Sequence, residues 1–472
     1  MKRALRYLAA LVLLTLLCAC GGGGDSTTTT VRGLGLNSLG QSPAVSTHFV
    51  QAENNMVVQV DQGPVNFGVN TNLLYATVTV CYPNDPTRCD TIDHVIVDTG
   101  SVGLRVLASK IVHSALPAVQ LSAAPVQNAW ECFPFVIGGL WGPNVAADVV
   151  LGPQTTTSPV VIQLIDDQSR LAPTTDCLTV TDSLPPKDNI LNSVSRLGAN
   201  GILGIGSTNL DCGEQCRLGQ YQGHAPNGSS VLYYQCPLGT TVPGACSLVP
   251  MDIPFQVYNP VAALAPDFNA GIALLMPPIP ASQPGASTAT GELILGLGTR
   301  ANNTVPGTVP KLRLGIGISQ NPDSYLSITT RYGGATFFNS YLDTGTNALF
   351  FYDSTIPVCS SSTWYCPRSD MAVQAVLSDG DDPTLHQVTV PFRISNFEAL
   401  NATSNTALST AAGFVFARSS TAPDSATFAW GMPFFYGKKV YMSIWDITAP
   451  SVQPVPPVDP PINLPWYAWE TL

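Results

Sequence analysis

His94-Val95-Ile96-Val97-Asp98-Thr99-Gly100-Ser101 and Asn339-Ser340-Tyr341-Leu342-Asp343-Thr344-Gly345-Thr346 are two versions of one segment. Each runs into Asp-Thr-Gly and continues with a hydroxyl residue, and Leu104 and Leu349 both lie six residues past the Asp. One such tripeptide in a chain of 472 residues is unremarkable, whereas two with matched flanks mark a diverged internal repeat. A carboxylate-bearing turn present twice points to one shared site built from Asp98 and Asp343.

The repeat extends further. Ile202-Leu203-Gly204 ends 106 residues after Asp98, and Ala429-Trp430-Gly431 ends 88 residues after Asp343, so each half carries a second mark of two apolar residues and a Gly. With these four elements the chain resembles the pepsin-like aspartic peptidases, in a bacterial lipoprotein branch. Gly291-Glu292-Leu293-Ile294-Leu295-Gly296 is similar to that family's strand leading into the second lobe, and the resemblance covers most of residues 57 to 446. It implies an all-β, two-lobed fold with pseudo-two-fold symmetry and few short helices. The lobes are expected at 56–298 and 299–447.

Two carboxylates held in hydrogen-bond reach do not both ionise easily, so the pair holds one acid and one base at once. The resemblance implies peptide-bond hydrolysis by an activated water, with a polypeptide substrate between the lobes and no covalent enzyme intermediate. It assigns catalysis to Asp98 and Asp343 and support of the dyad to Thr99, Gly100, Ser101, Thr344, Gly345 and Thr346. Related enzymes close a hairpin bearing Tyr over the substrate. The corresponding stretch here, Phe133 to Gly142, lacks Tyr, which leaves Phe135 and Trp141 as candidate lid residues. Arg105 is a second departure, since an aromatic usually follows the equivalent of Leu104. The rival reading is a binding or surface-interaction lipoprotein that keeps the fold without the chemistry.

Lys2, Arg3 and Arg6 before the apolar Leu8 to Leu17 form an export signal, expected over 1–20. Leu17-Cys18-Ala19-Cys20-Gly21 resembles a lipoprotein processing site, with Cys20 as the lipidated residue. Residues 21–55, opening with four Gly and a Ser/Thr run, are expected to be a flexible tether. The expected location is the cell envelope, at the outer membrane facing the periplasm or the cell surface, and membrane attachment is through the lipid alone.

A net charge of −11 with 11% charged residues argues against nucleic-acid binding. Past Cys20 stand ten cysteines: Cys81 and Cys89, Cys212 and Cys216, Cys236 and Cys246, Cys359 and Cys366 as near neighbours, with Cys132 and Cys177 left over. An even number in an exported chain reads as disulfides. The five histidines, including His94, fall in no metal or hydrolase motif, and neither cofactor nor metal is expected. A monomer is expected.

Alternation in Leu74 to Val80 and Val388 to Ile394 predicts strands, while 40 Gly and 40 Pro disfavour long helices. Short helices are expected at Ala108 to His113 and Ser369 to Leu377. The last segment, 448–472, is expected to be a Pro-rich tail whose closing Trp466-Tyr467-Ala468-Trp469 docks back on the body rather than on a partner.

Overall fold

Alternation becomes pleated strand where it was read. In Val388–Ile394 the side chains of Val390 and Ile394 are buried while Thr389, Pro391 and Arg393 are not, and the strand pairs antiparallel along Met371–Ser378. A computed structural model describes residues 41–472 apart from 65–69, 136–137, 182–189, 220–230, 243, 281, 317–325, 361, 417–421 and 449–463. The signal, Cys20 and the first twenty residues of the expected tether lie outside the described residues.

Among the described residues the strands form two hydrogen-bonded assemblies of 18 and 7 strands, and no α-helix exceeds seven residues. The chain is therefore all-β. The helix expected at Ser369 to Leu377 is a strand, Met371–Ser378, because Val388–Ile394 on one side and Ile328–Tyr332 on the other satisfy its backbone. Only Ala108–Lys110 of the helix expected over Ala108 to His113 is helical, as a single 3-10 turn.

The two repeats fold alike. Strand Asp85–Asp98 delivers the first Asp-Thr-Gly turn, and the chain returns as Val102–Leu107. Gly201–Ile205 then fits between them, parallel to the first, with Gly204 opposite Asp98, and antiparallel to the second. In the other repeat Ala335–Leu342 delivers the turn and Leu349–Phe350 leads away. Thr427–Trp430 lies parallel to the former, with Trp430 opposite Leu342, and antiparallel to the latter. Both apolar-apolar-Gly elements thus lie beside their own turn, and this double motif is the two-lobed pepsin-like architecture.

Strands from both ends of the chain share a further layer, in which Asn55–Val60, Ala289–Leu295, Gly271–Met276, Lys438–Ser443 and Trp466–Thr471 pair in that order. Two boundaries shift accordingly. The stretch assigned to the tether is held to the body at its described start: Gln41 and Ser42 are buried, Ser42 N donates to Asn405 Oδ1 at 2.8 Å, and Val45 pairs with Ala289. Past the Pro-rich stretch the tail becomes strand Trp466–Thr471, with Tyr467 and Ala468 buried. Five disulfides join Cys81–Cys89, Cys132–Cys177, Cys212–Cys216, Cys236–Cys246 and Cys359–Cys366.

Candidate active site

Each turn is built by its own sequence. The Asp side chain folds back to accept from the Gly two residues on: Gly100 N to Asp98 Oδ1 at 2.8 Å, and Gly345 N to Asp343 Oδ1 at 2.7 Å. The second carboxylate oxygen accepts from the next hydroxyl, Ser101 Oγ to Asp98 Oδ2 and Thr346 Oγ1 to Asp343 Oδ2, both at 2.5 Å. The four bonds match pair by pair across 245 residues of sequence.

The threonines lock the turns to each other. Thr99 Oγ1 donates to Leu342 O at 3.0 Å and Thr344 Oγ1 to Val97 O at 2.6 Å. Each hydroxyl also accepts the other's backbone N–H, Thr344 N to Thr99 Oγ1 at 3.0 Å and Thr99 N to Thr344 Oγ1 at 3.2 Å. Thr99 and Thr344 are almost fully buried, so the lock is shielded from water. Glycine is required at the contact. A Cβ on Gly100 would stand 2.6 Å from the Asp343 carboxyl carbon, and one on Gly345 would stand 2.6 Å from Asp98 Oδ1.

The two carboxyls adjoin: a Cβ on Gly345 would stand 2.6 Å from Asp98 Oδ1 and 3.1 Å from Asp343 Oδ1. Burial, and after it the negative charge of Asp98, push Asp343 up to about 8. Raised this far, the Asp343 carboxyl keeps its proton at neutral pH beside the negative charge of Asp98. Gly100 is exposed beside the pair, giving it access to solvent on one side. The arrangement presents an acid and a base together, flanked by hydroxyls that hold their oxygens in place.

The structure thus brings together Asp98, Thr99, Gly100, Ser101, Asp343, Thr344, Gly345 and Thr346. It separates the candidate lid residues. Strands Val126–Phe135 and Gly138–Leu151 form the expected hairpin, whose residues 136–137 lie outside the described residues. Phe135 is half-buried at the hairpin end. Trp141 is enclosed instead, 1% exposed, with its indole N–H donating to Leu171 O at 2.9 Å and its ring against Tyr234 and Trp130. A side chain held there is part of the hairpin's core and does not serve as a lid. His94 lies away from the dyad bonds, against Asp93 at 2.8 Å. Among the described residues the one group with metal-ligand spacing is Cys359, Cys366 and Glu398, and its two sulfurs are joined in a disulfide.

Sequence reasoning missed a buried ionic cluster. Arg105, singled out as a departure, meets Glu131 and Asp211, and all three side chains are fully enclosed. The available signal was an arginine inside an otherwise apolar strand, Val102–Leu107.

Residues 50–458 match the model of a family described as protein of unknown function (DUF3443). Among curated proteins none matches the chain. Among solved structures, the aspartic proteinase from Irpex lacteus is similar at 15% identity over 88% of this chain and 97% of that one, with a TM-score of 0.46. The two copies of the strand-turn-strand motif, not this likeness, identify the architecture.

Proposed function

The chain belongs to the DUF3443 family, and on that footing we propose that it is an exported, lipid-anchored aspartic endopeptidase. The observation that carries this reading is the pairing of Asp98 with Asp343 in two matched, mutually locked turns. Within the proposal the ionised Asp98 takes a proton from a water attacking the peptide carbon while Asp343 donates a hydrogen bond to the carbonyl oxygen that gains charge. Asp98 then passes its proton to the amide nitrogen as the C–N bond breaks and the amine leaves. Hydrogen bonds from Ser101, Thr346 and the two glycine amides hold the carboxylate oxygens in position throughout. The substrate is a polypeptide bound between lobes 56–298 and 299–447, with Phe135 as the aromatic lid, and the protein acts as a monomer.

The anchor in this proposal is a lipid on Cys20 at the outer membrane. Its support is the sequence around that residue, together with disulfide pairing of all ten cysteines that follow it, which suits an oxidising envelope compartment. Peptide-library cleavage by full-length protein in detergent, against an Asp98→Asn control, tests the enzymatic part. Cleavage lost in the variant supports it. A folded wild type that cleaves nothing from acidic to neutral pH transfers the protein to the binding-lipoprotein reading.

A further inference from the structure

The strand after the first Asp-Thr-Gly turn, Val102–Leu107, is buried at every position, and the fourth residue is Arg105. Its guanidinium makes two kinds of bond. Nη1 donates back to the carbonyls of Val102 at 2.5 Å and Gly103 at 3.4 Å, the backbone immediately following the dyad turn. Nη2 donates outward to Glu131 Oε1 at 2.7 Å and Asp211 Oδ2 at 3.0 Å. Tyr233 closes the cluster by donating to both oxygens of Asp211 at 2.9 Å, while its own oxygen accepts Val257 N at 2.8 Å.

Glu131 lies on the hairpin strand Val126–Phe135, two residues from Phe133. The guanidinium stacks over the Phe133 ring at 3.8 Å from its centroid, and the Phe133 ring packs at 4.9 Å against Phe135. One side chain therefore touches the backbone beyond Asp98 and, through a single ring, the candidate lid. The hairpin is held from other sides too, since Gln163 Nε2 donates to Glu131 O at 2.8 Å and strand Leu232–Pro237 pairs along Cys132 to Gln127.

A buried ion pair at best breaks even against apolar packing of the same volume. Arg105 is thus a poor means of stabilising this strand and a good means of fixing geometry, because its planar donors accept only one arrangement of partners. Charge balance is consistent. Burial, and after it the negative charge of Glu131, push Asp211 well above the usual carboxylate range, against the pull of Arg105, and so favour the neutral form of Asp211 beside the ion pair.

We propose that Arg105 is a positioning residue that holds the backbone carrying Asp98 and the hairpin bearing Phe135 in one fixed relation. This rests on the peptidase reading above for its kinetic consequence, but not for its structural one.

Two variants test it in the full-length protein: Arg105→Lys, which keeps the charge without the planar fork, and R105M/E131Q/D211N, which removes the guanidinium and both carboxyl groups of the cluster so that no charge is left unpaired. In either folded variant kcat/KM falls at least about tenfold, with KM raised as well as kcat lowered, since misplacement of reacting groups is costly. A purely structural defect lowers the active fraction and leaves KM where it was. Hydrogen exchange on the same proteins should quicken together in 98–106 and 126–135 and stay unchanged in 339–346. An unchanged KM in a folded variant overturns the proposal, and so does loosening of one segment without the other. If wild type is inactive, the peptidase reading fails and the exchange result alone decides the role of Arg105.

Discussion

Asp343 carries the residue-scale consequence of the paired turns. Its carboxyl is pushed from an ordinary value of 3.8 up to about 8 by burial and the charge of Asp98. A raised folded-state pKa means that the native state binds the proton more tightly than the unfolded chain does. The associated stability is complete below about pH 4 and drains away as pH rises toward 8. Asp343→Asn removes that dependence. The variant should match wild type most nearly near pH 4 and become more stable than it by pH 8, by roughly 1–3 kcal/mol after allowance for relaxation of so tight a pair. Thermal unfolding of both proteins across that range measures the difference, and a constant gap would contradict the assignment of the shared proton. The same titration sets the enzymatic limb, with activity falling as pH passes about 8 and the dyad loses its proton.

At the scale of elements the disulfides differ in what they close. Cys132–Cys177 spans 45 residues and Cys212–Cys216 only 4. Loop entropy assigns the long bridge roughly 4 kcal/mol and the short one roughly 2. Removing the first pair by C132A/C177A should therefore lower the denaturant midpoint about twice as far as C212A/C216A does. Equal losses would show that strain or residual unfolded structure outweighs loop length. The elements were legible in the sequence where pattern is local. Both Asp-Thr-Gly turns, their flanking strands and both apolar-apolar-Gly elements could be read because each motif is a short string. Met371 to Leu377 was misread because its apolar residues fit a helix as well as a strand, and the partner that decides, Val388–Ile394, lies further along the chain. Trp141 was misread because composition does not reveal which face of a hairpin is covered. The Arg105 cluster was out of reach because its partners lie 26 and 106 residues away.

For the whole molecule, the proposed anchor draws on none of the five disulfides. The ten cysteines that follow Cys20 are all paired with one another, so Cys20→Ser should abolish incorporation of labelled fatty acid while the thermal transition is unchanged. Label retained in that variant would place the lipid elsewhere. The central claim is that Asp98 and Asp343 act as one acid/base unit on peptide bonds. Its most direct measurement is the cleavage rate of one library-derived peptide by wild type, Asp98→Asn, Asp343→Asn and the double variant, each shown to be folded. Both single variants should lose at least about 100-fold, and the double variant should be little worse, because either loss already dismantles the unit. A single variant that keeps more than about a tenth of the wild-type rate, or losses that multiply in the double variant, would contradict the dyad as the catalytic centre.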